Sequence, residues 1–198
     1  MMNSSILKYI PLNSRDYLNE ILSENKISLL IKKERKTKHG DFRVLKNGEC
    51  QITINSNLNS YRFLITLIHE IAHYKVYKIY DRKVRPHGQE WKQTFKYMML
   101  PLLNPKIFPS DLLSHISNYI KNPKASTDTD FNLSLALRSY DFNKEKKYIF
   151  EINNGSKFKI YNGRAFILEE KLRKRYKCKE IASGRTYLFN PNAEIELV

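Results

Sequence analysis

Three histidines that can meet around one point constrain this chain more than any other feature. Residues 69–73 read His-Glu-Ile-Ala-His, and a third histidine follows at His87. Positions four apart lie on one face of an α-helix, so His69 and His73 can offer two imidazole nitrogens to one metal ion. A catalytic zinc ion takes three protein ligands and keeps a fourth position open, and His87 can complete that set. The chain must therefore form a helix here and then fold back onto it.

Glu70 predicts that this metal site is catalytic. It lies about 100° around the helix from His69, near enough to hold a water molecule at the metal without binding the metal itself. The alternative is a pair of core histidines without a metal. The segment 61–69 is rich in apolar residues, and a core helix with two unpartnered imidazoles is costly. We therefore expect one bound zinc ion, although three histidines can also hold other divalent metals.

Other residues near the motif have less specific roles. Tyr74, Tyr77 and Arg85 are candidates for a second donor to the oxyanion, on sequence proximity alone. Gly88 is expected to let the chain turn sharply from His87 into the next helix, and Trp91 to pack behind the metal helix. The remaining histidines are not expected to bind metal: His39 lies in a lysine-rich turn and is expected to be solvated, and His115 lies on a short helix.

Composition places the chain in a reducing, aqueous compartment. The 198 residues are 41% hydrophobic, enough for a folded core, and no apolar run approaches the ~20 residues that span a bilayer. The N-terminal segment 6–12 is too short for a signal peptide. Cys50 and Cys178 are the two cysteines and lie far apart, which argues against a disulfide scaffold. We expect a cytoplasmic protein without a membrane partner; the sequence indicates no oligomeric state.

The charge suggests a polyanionic partner. Thirty-five Lys and Arg against 20 Asp and Glu give a net charge of +15, which suits phosphate contacts with nucleic acid. An AT-rich genome, which favours lysine codons, is the alternative. The densest basic run lies in the tail and interleaves an aromatic ring that could stack on a base; it comprises Lys171, Arg173, Lys174, Arg175, Tyr176 and Lys177. The alternative for this run is a solvated strand edge whose lysines discourage aggregation.

Periodicity and turn signals predict an α+β protein. Before residue 122 they predict a helix over 14–25, a strand over 27–33 with its returning partner over 41–46, and a third strand over 50–55. The motif helix should begin at a cap on Asn59 or Ser60 and end near Tyr80. Two further helices are expected over 88–100 and 111–120, since proline or a capping residue borders each one.

The C-terminal part reads as a separate small module. A polar tract predicts a linker over 123–143, between a first domain at 1–122 and a basic antiparallel β module at 144–198. Strands are expected over 148–152, 157–161, 164–168, 176–181 and 186–189. The apolar packing of the module is assigned to Tyr148, Phe150, Phe158, Phe166 and Tyr187.

The extended motif resembles the SprT-like metallopeptidase domain, a family that includes the Spartan proteases of DNA–protein crosslink repair. The resemblance rests on His69 to His73, thirteen intervening residues and His87-Gly-Gln-Glu-Trp91, with the lead-in segments 51–55 and 57–61. It covers roughly residues 10–120. It implies a zincin-like fold, His69, His73 and His87 as zinc ligands, Glu70 as general base, and proteolysis at DNA.

The tail departs from that family. Many SprT-like proteins carry a C-terminal zinc ribbon with paired cysteines, whereas this tail has only Cys178, so it resembles a ribbon without its metal. The sequence thus predicts a zinc metalloendopeptidase that hydrolyses peptide bonds of DNA-associated or DNA-crosslinked proteins. Two alternatives stay open: a nucleic-acid-binding or regulatory protein with a structural or vestigial metal site, and a zinc hydrolase of a non-protein substrate.

Overall fold

The computed structural model describes residues 6–142 and 147–198, which form an α+β protein with two hydrophobic cores. The described helices are α1 (Arg15–Ser23), α2 (Ser60–Tyr80), α3 (Gln89–Met99), α4 (Ser110–Tyr119) and α5 (Phe131–Arg138). The strands are β1 (Ile27–Lys32), β2 (Gly40–Val44), β3 (Cys50–Asn55), β4 (Lys147–Tyr148), β5 (Lys157–Lys159), β6 (Ala165–Lys171), β7 (Tyr176–Glu180), β8 (Thr186–Phe189) and β9 (Glu194–Leu197).

The first sheet has the order β1-β3-β2, with β1 parallel and β2 antiparallel to β3. The prediction that 41–46 returns directly beside the first strand was therefore wrong, because β3 lies between them. Burial explains the order. Five of the six residues of β3 are buried, whereas β1 alternates between half-buried and exposed positions. A strand covered on both faces takes the centre of a sheet, and the more exposed strands take its edges.

Helix α2 is the centre of the first core. Asn59 caps it by accepting a hydrogen bond from the backbone N–H of Arg62 (2.9 Å), which satisfies one of the unpaired donors of the first turn. The helix is buried on almost every side and packs against β2, β3 and α3. A helix that is apolar on most sides lies inside a core, and the two histidines of α2 are half-buried there.

The predicted linker is partly helical. Within 123–143 the chain forms one 3-10 turn at Thr127–Thr129 and then α5. Leu133 and Leu137, four residues apart, are fully buried in the first core, and Asp130 caps the helix by accepting from the N–H of Leu133 (3.1 Å). This helix was not predicted, because most residues of the tract are polar and the apolar face of the helix is short. The proposed division into domains at 122 and 144 stays a prediction.

The second sheet is antiparallel with the order β4-β9-β5-β6-β7-β8. Strands β5 to β8 form the expected meander, and Phe158 and Phe166 are fully buried in its core. Strand β9 was not predicted, because its short Glu-Ile-Glu-Leu alternation is a weak signal; it pairs with both β4 and β5. The strand expected over 148–152 is instead a two-residue strand followed by a 3-10 turn at Ile149–Glu151.

In the ranges 6–142 and 147–198, no helix has the length and apolar character needed to cross a membrane.

Candidate active site

The three motif histidines converge on one point. The Nε2 atom of His73 lies 3.1 Å from that of His69 and 2.9 Å from that of His87, and the third pair is 3.1 Å apart. Two nitrogens that bind one tetrahedral zinc ion at 2.0–2.1 Å are about 3.3 Å apart. The three ring nitrogens are thus spaced to hold one metal ion, and the donor set suits zinc. Among the described residues, no fourth His, Cys, Asp or Glu joins this cluster.

Trp91 of α3 supports the two helical histidines from behind. Its indole N–H donates to the backbone carbonyl of His69 (3.3 Å), and its ring stacks on His73 with a centroid distance of 5.3 Å. The side chain is fully buried. The ring orientation of both ligands is therefore set by packing, which is what a preformed metal site requires.

His87 reaches the site through an unusual backbone conformation. Its φ angle is +58°, in the left-handed region that few non-glycine residues adopt. The sharp turn was expected at Gly88, but the left-handed residue is His87 itself. Gly88 is needed for another reason: its N–H donates to the carbonyl of Arg85 (2.9 Å), and a Cβ atom there would lie 2.9 Å from the same oxygen.

The electrostatics keep all three imidazoles neutral at physiological pH. Burial, followed by the charges of His73 and His87, lowers the pKa of His69 to about 2, and burial with His87 lowers the pKa of His73 to about 4. Burial also lowers the pKa of His87. Neutral imidazole is the form that binds a metal ion, so the ligands need little deprotonation before they bind.

Glu70 is the buried carboxylate beside this cluster, with 7% of its surface exposed. Burial raises its pKa to about 8, the charge of Asp41 adds to the rise, and a hydrogen bond from the backbone N–H of Phe42 partly offsets it. A carboxylate whose pKa lies near neutrality can take up and release a proton at working pH.

Strand β2 is an edge strand of the first sheet and packs against Glu70. In its antiparallel ladder with β3, the N–H of Asn55 donates to His39 and that of Leu45 donates to Glu49. Because hydrogen-bonded and non-bonded pairs alternate, the backbone groups of Gly40, Phe42 and Val44 point away from β3. One of these outward groups, the N–H of Phe42, is bonded to the carboxylate of Glu70.

Gly40 and Phe42 were not predicted from the sequence to be residues of the active site. A Cβ atom on Gly40 would lie 2.7 Å from Oε1 of Glu70, so only glycine lets β2 approach this closely. The ring of Phe42 lies against Tyr77 (5.8 Å) and Tyr74 (6.1 Å). The only early signal was a glycine placed before an alternating strand, which also fits an ordinary turn.

The three oxyanion candidates differ in their surroundings. Tyr74 is buried, and burial raises the pKa of its hydroxyl. Tyr77 is half-buried and lies one turn beyond His73 on the same helix face. Arg85 is exposed and precedes His87 by two residues. The roles of these three residues stay predictions.

The predicted nucleic-acid segment splits into two groups. Lys171, Arg173, Lys174 and Arg175 are exposed at the turn between β6 and β7, and they are called the basic hairpin below. The expectation of base stacking by Tyr176 was wrong, because this ring is 6% exposed and faces the core of the module. Lys177 is paired with Glu170 (3.2 Å) and Glu169 (3.5 Å), so its charge is already balanced.

Residues 9–107, about half of the chain, match the SprT-like family. The matched region contains the three histidines, Glu70 and Trp91, and the protein belongs to this family. The resemblance inferred from the extended motif is thereby confirmed. The family is associated with zinc metallopeptidase-like activity. No curated protein matches the chain.

Proposed function

We propose that this protein is a zinc-dependent metalloendopeptidase. The observation that carries the proposal is the convergence of three imidazole Nε2 atoms, 2.9–3.1 Å apart, next to the buried carboxylate of Glu70. A structural zinc site is closed by a fourth protein ligand, and it has no use for a desolvated glutamate. The combination of a three-histidine cluster without a fourth protein ligand among the described residues and a nearby base favours catalysis over a purely structural metal site.

His69, His73 and His87 would hold the metal. Zinc bound by them supplies Lewis-acid chemistry, since it lowers the pKa of a coordinated water and polarises a carbonyl oxygen. The protein provides neutral ligands whose rings are fixed by Trp91. It also provides the steric exclusion of bulk water around Glu70, which is one reason for the raised pKa of that carboxyl.

Glu70 moves the proton. As general base it accepts a proton from the attacking water, and as general acid it then donates this proton to the nitrogen of the departing amine. The N–H of Phe42 bonds to the Glu70 carboxylate and so orients it. A buried carboxyl holds a proton more readily than an exposed glutamate does, which suits the donation of that proton to the leaving amine.

The free edge of β2 favours a peptide as substrate. An extended peptide can add to an exposed sheet edge through main-chain hydrogen bonds. The N–H of Phe42 is bonded to Glu70. The carbonyl of Phe42 and the backbone groups of Gly40 and Val44 point outward beside it, and they would hold a peptide within reach of the base. A small amide or ester has no repeating backbone to use this edge, so the arrangement favours proteolysis over the hydrolysis of small molecules.

We further propose that its protein substrates are associated with nucleic acid. The basic hairpin carries four cations with no acidic partner among the contacts of the described residues, and the whole chain carries a net charge of +15. Clustered cations bind phosphate backbones mainly through counterion release. Contact with DNA or RNA would then bring bound proteins to the site.

Metal dependence and substrate class test the proposal together. The protein stripped by a chelator should not cleave an unfolded protein, and one equivalent of zinc should restore cleavage. A histone should be cleaved faster in the presence of single-stranded DNA. A panel of small amides and esters should be hydrolysed far more slowly than the protein. Faster hydrolysis of the small amides, or full activity in the metal-free protein, would refute the proposed function.

A further inference from the structure

The C-terminal sheet is connected to the active site through Asp128. This residue lies in the 3-10 turn Thr127–Thr129, between α4 and α5. One carboxylate oxygen accepts from Nη1 of Arg62 (2.7 Å), and the other pairs with Nε2 of His39 (2.7 Å). The backbone carbonyl of Asp128 accepts from Nδ2 of Asn192 (2.5 Å), which precedes β9 of the second sheet. Three separate parts of the chain therefore meet at one residue.

The contact with Arg62 fixes Asp128 relative to the metal helix. Arg62 belongs to the first turns of α2, and its side chain is 7% exposed. Its second amino group donates to the carbonyl of Ser134 in α5 (3.2 Å). Burial alone would raise the pKa of the Asp128 carboxyl, but the hydrogen bonds and charges of His39 and Arg62 outweigh it and hold that pKa below its usual range. Asp128 is thus an ionised, anchored acceptor.

Through His39, Asp128 is also connected to the substrate edge, which is the outer edge of β2 that would bind the peptide. His39 was expected to be a solvated turn residue, but its imidazole is held by Asp128 across 89 positions of sequence. It directly precedes Gly40, the first residue of β2, and Gly40 packs against Glu70 and Thr66 so closely that no Cβ atom fits. The position of His39 therefore sets how β2 enters the active site.

Further contacts hold the C-terminal sheet next to this junction. Arg138 of α5 pairs with Glu151 (2.7 Å) and lies over the ring of Tyr148 (4.3 Å). Phe131 meets Phe150 edge to face at 5.2 Å. These contacts join the two parts beside α5, on the segment that carries Asp128. A shift of the sheet would consequently pull on Asp128 through Asn192.

We propose that His39 and Asp128 are positioning residues through which the C-terminal module controls the substrate edge of the active site. Docked as in this structure, the module holds Asp128 by Asn192, Asp128 holds His39, and His39 keeps β2 against the helix that carries Glu70. Whatever binds the module thereby acts on the affinity for the peptide substrate, and not on the metal. This inference rests on the proposed function, because it concerns the edge that would bind the peptide.

Point variants in the full chain separate this role from simple destabilisation. His39→Ala should raise KM and lower kcat/KM about tenfold, since a hydrogen bond to a charged group is lost. His39→Gln, whose amide can donate to Asp128, should recover most of the loss. Loss of folded protein lowers the apparent kcat without changing KM, so the rise in KM identifies the displaced edge. His115→Ala is the matched control and should equal the wild type.

Variants of Asn192 test whether the C-terminal module is coupled to His39. Asn192→Ala should raise KM in the same direction by a smaller factor, whereas Asn153→Ala, an exposed asparagine of the same module, should not. If both residues act through Asp128, the double variant His39→Ala/Asn192→Ala should be no worse than His39→Ala alone. Multiplicative effects, or a wild-type KM in His39→Ala, would overturn the proposal.

Zinc content and amide hydrogen exchange keep this test separate from the test of the proposed function. Every variant should bind zinc as the wild type does. The amides of 40–45 should exchange faster in His39→Ala and in Asn192→Ala, whether or not a cleavable substrate is known. Unchanged exchange in both variants would overturn the coupling even if the protein is a protease. Faster exchange in a protein without peptidase activity would support the coupling and reject the protease function.

Discussion

Glu70 in α2 and Glu180 in β7 are almost equally inaccessible to solvent, with 7% and 8% of their surface exposed. Their electrostatics are opposite. Burial raises the pKa of Glu70 to about 8, whereas hydrogen bonds from Arg164 and Ser183 lower the pKa of Glu180 to about 2. The first glutamate lacks the direct cation that the second one has. A buried carboxyl without a cation is costly to keep, which is the mark of a functional group.

The two parts of the protein that contain these glutamates differ in the same way. The first part collects three imidazoles, a left-handed His87 and a glycine-only contact around one carboxylate. In the second part, Arg164 bonds to Glu180 (2.5 Å) and covers the ring of Tyr187 (4.6 Å). This ion pair joins the chain after the β5–β6 turn to the chain before the β7–β8 turn. The second part can therefore hold its turns without metal ligands.

Loss of a metal ligand should have the largest effect and should be confined to the first part. His73→Ala removes one of three zinc ligands, so zinc affinity should fall about a thousandfold or more, and cleavage should fall with it. His115→Ala is the control, since this histidine lies on α4 outside the cluster. Zinc titration followed by a competing chelator measures the affinity. Equal affinity in His73→Ala and wild type would exclude the three-histidine site.

Truncation of the main aromatic residue in each core should separate the two parts. Trp91→Ala and Phe166→Ala should each cost about 3–5 kcal/mol of unfolding free energy, because both rings are fully buried. Only Trp91→Ala should also weaken zinc binding, since its ring supports His69 and His73. Denaturant unfolding and zinc titration of both variants measure the two effects. Weaker zinc binding in Phe166→Ala would show that the two cores are not independent.

The metal-free protein should be most stable near pH 6.5. Below this pH, the unfolded state protonates histidines whose folded pKa values are about 4 and about 2, so stability falls as the pH falls. Above it, the folded state keeps a proton on Glu70 up to about pH 8, whereas the unfolded state has lost it, so stability falls as the pH rises. Each decline should amount to about 1 kcal/mol over 1.5 pH units, because Glu70 and the two histidines oppose each other on both sides of the maximum.

Variants show which residue causes the loss of stability above pH 6.5. Glu70→Gln should remove the decline between pH 6.5 and 8 and steepen the decline below pH 6.5, where the raised pKa of Glu70 opposes the effect of the histidines. The same replacement at Glu49, an exposed turn residue, should leave both declines unchanged. Urea unfolding of chelator-treated protein at a series of pH values gives the profile. A stability that rises steadily from pH 6.5 to 8 in the wild type would contradict the raised pKa of Glu70.

Neutralisation of the basic hairpin should have the smallest effect on the active site. Replacing Arg173, Lys174 and Arg175 with glutamine should reduce the slope of log Kd for single-stranded DNA against log salt by about 2. Cleavage of a free peptide should not change. A matched triple replacement of Lys26, Lys32 and Lys33, which are exposed on the other part, should change the slope less. Equal changes in both triple variants would reject the basic hairpin as the binding surface.

The sequence alone predicted the features that depend on residues close together in the chain. The i, i+4 spacing predicted that His69 and His73 lie on one helix and bind one metal. The sequence also predicted that Trp91 packs behind that helix. The order β1-β3-β2 was not accessible, because strand pairing joins distant segments and the local alternation does not specify a partner. His39 was misjudged for the same reason: its partner Asp128 lies 89 positions away. Likewise, alternation around Tyr176 does not reveal which face of β7 meets the core.

The paired replacement of the two buried glutamates by glutamine tests the functional difference between them most directly. Zinc content, cleavage of an unfolded protein and thermal stability would be measured on Glu70→Gln and Glu180→Gln in parallel. Glu70→Gln should keep its zinc and be no less stable than the wild type, but it should lose cleavage by a factor of about 10²–10⁴. Glu180→Gln should keep cleavage and melt at a lower temperature. Cleavage at the wild-type rate by zinc-loaded Glu70→Gln would contradict the role of Glu70 as the general base.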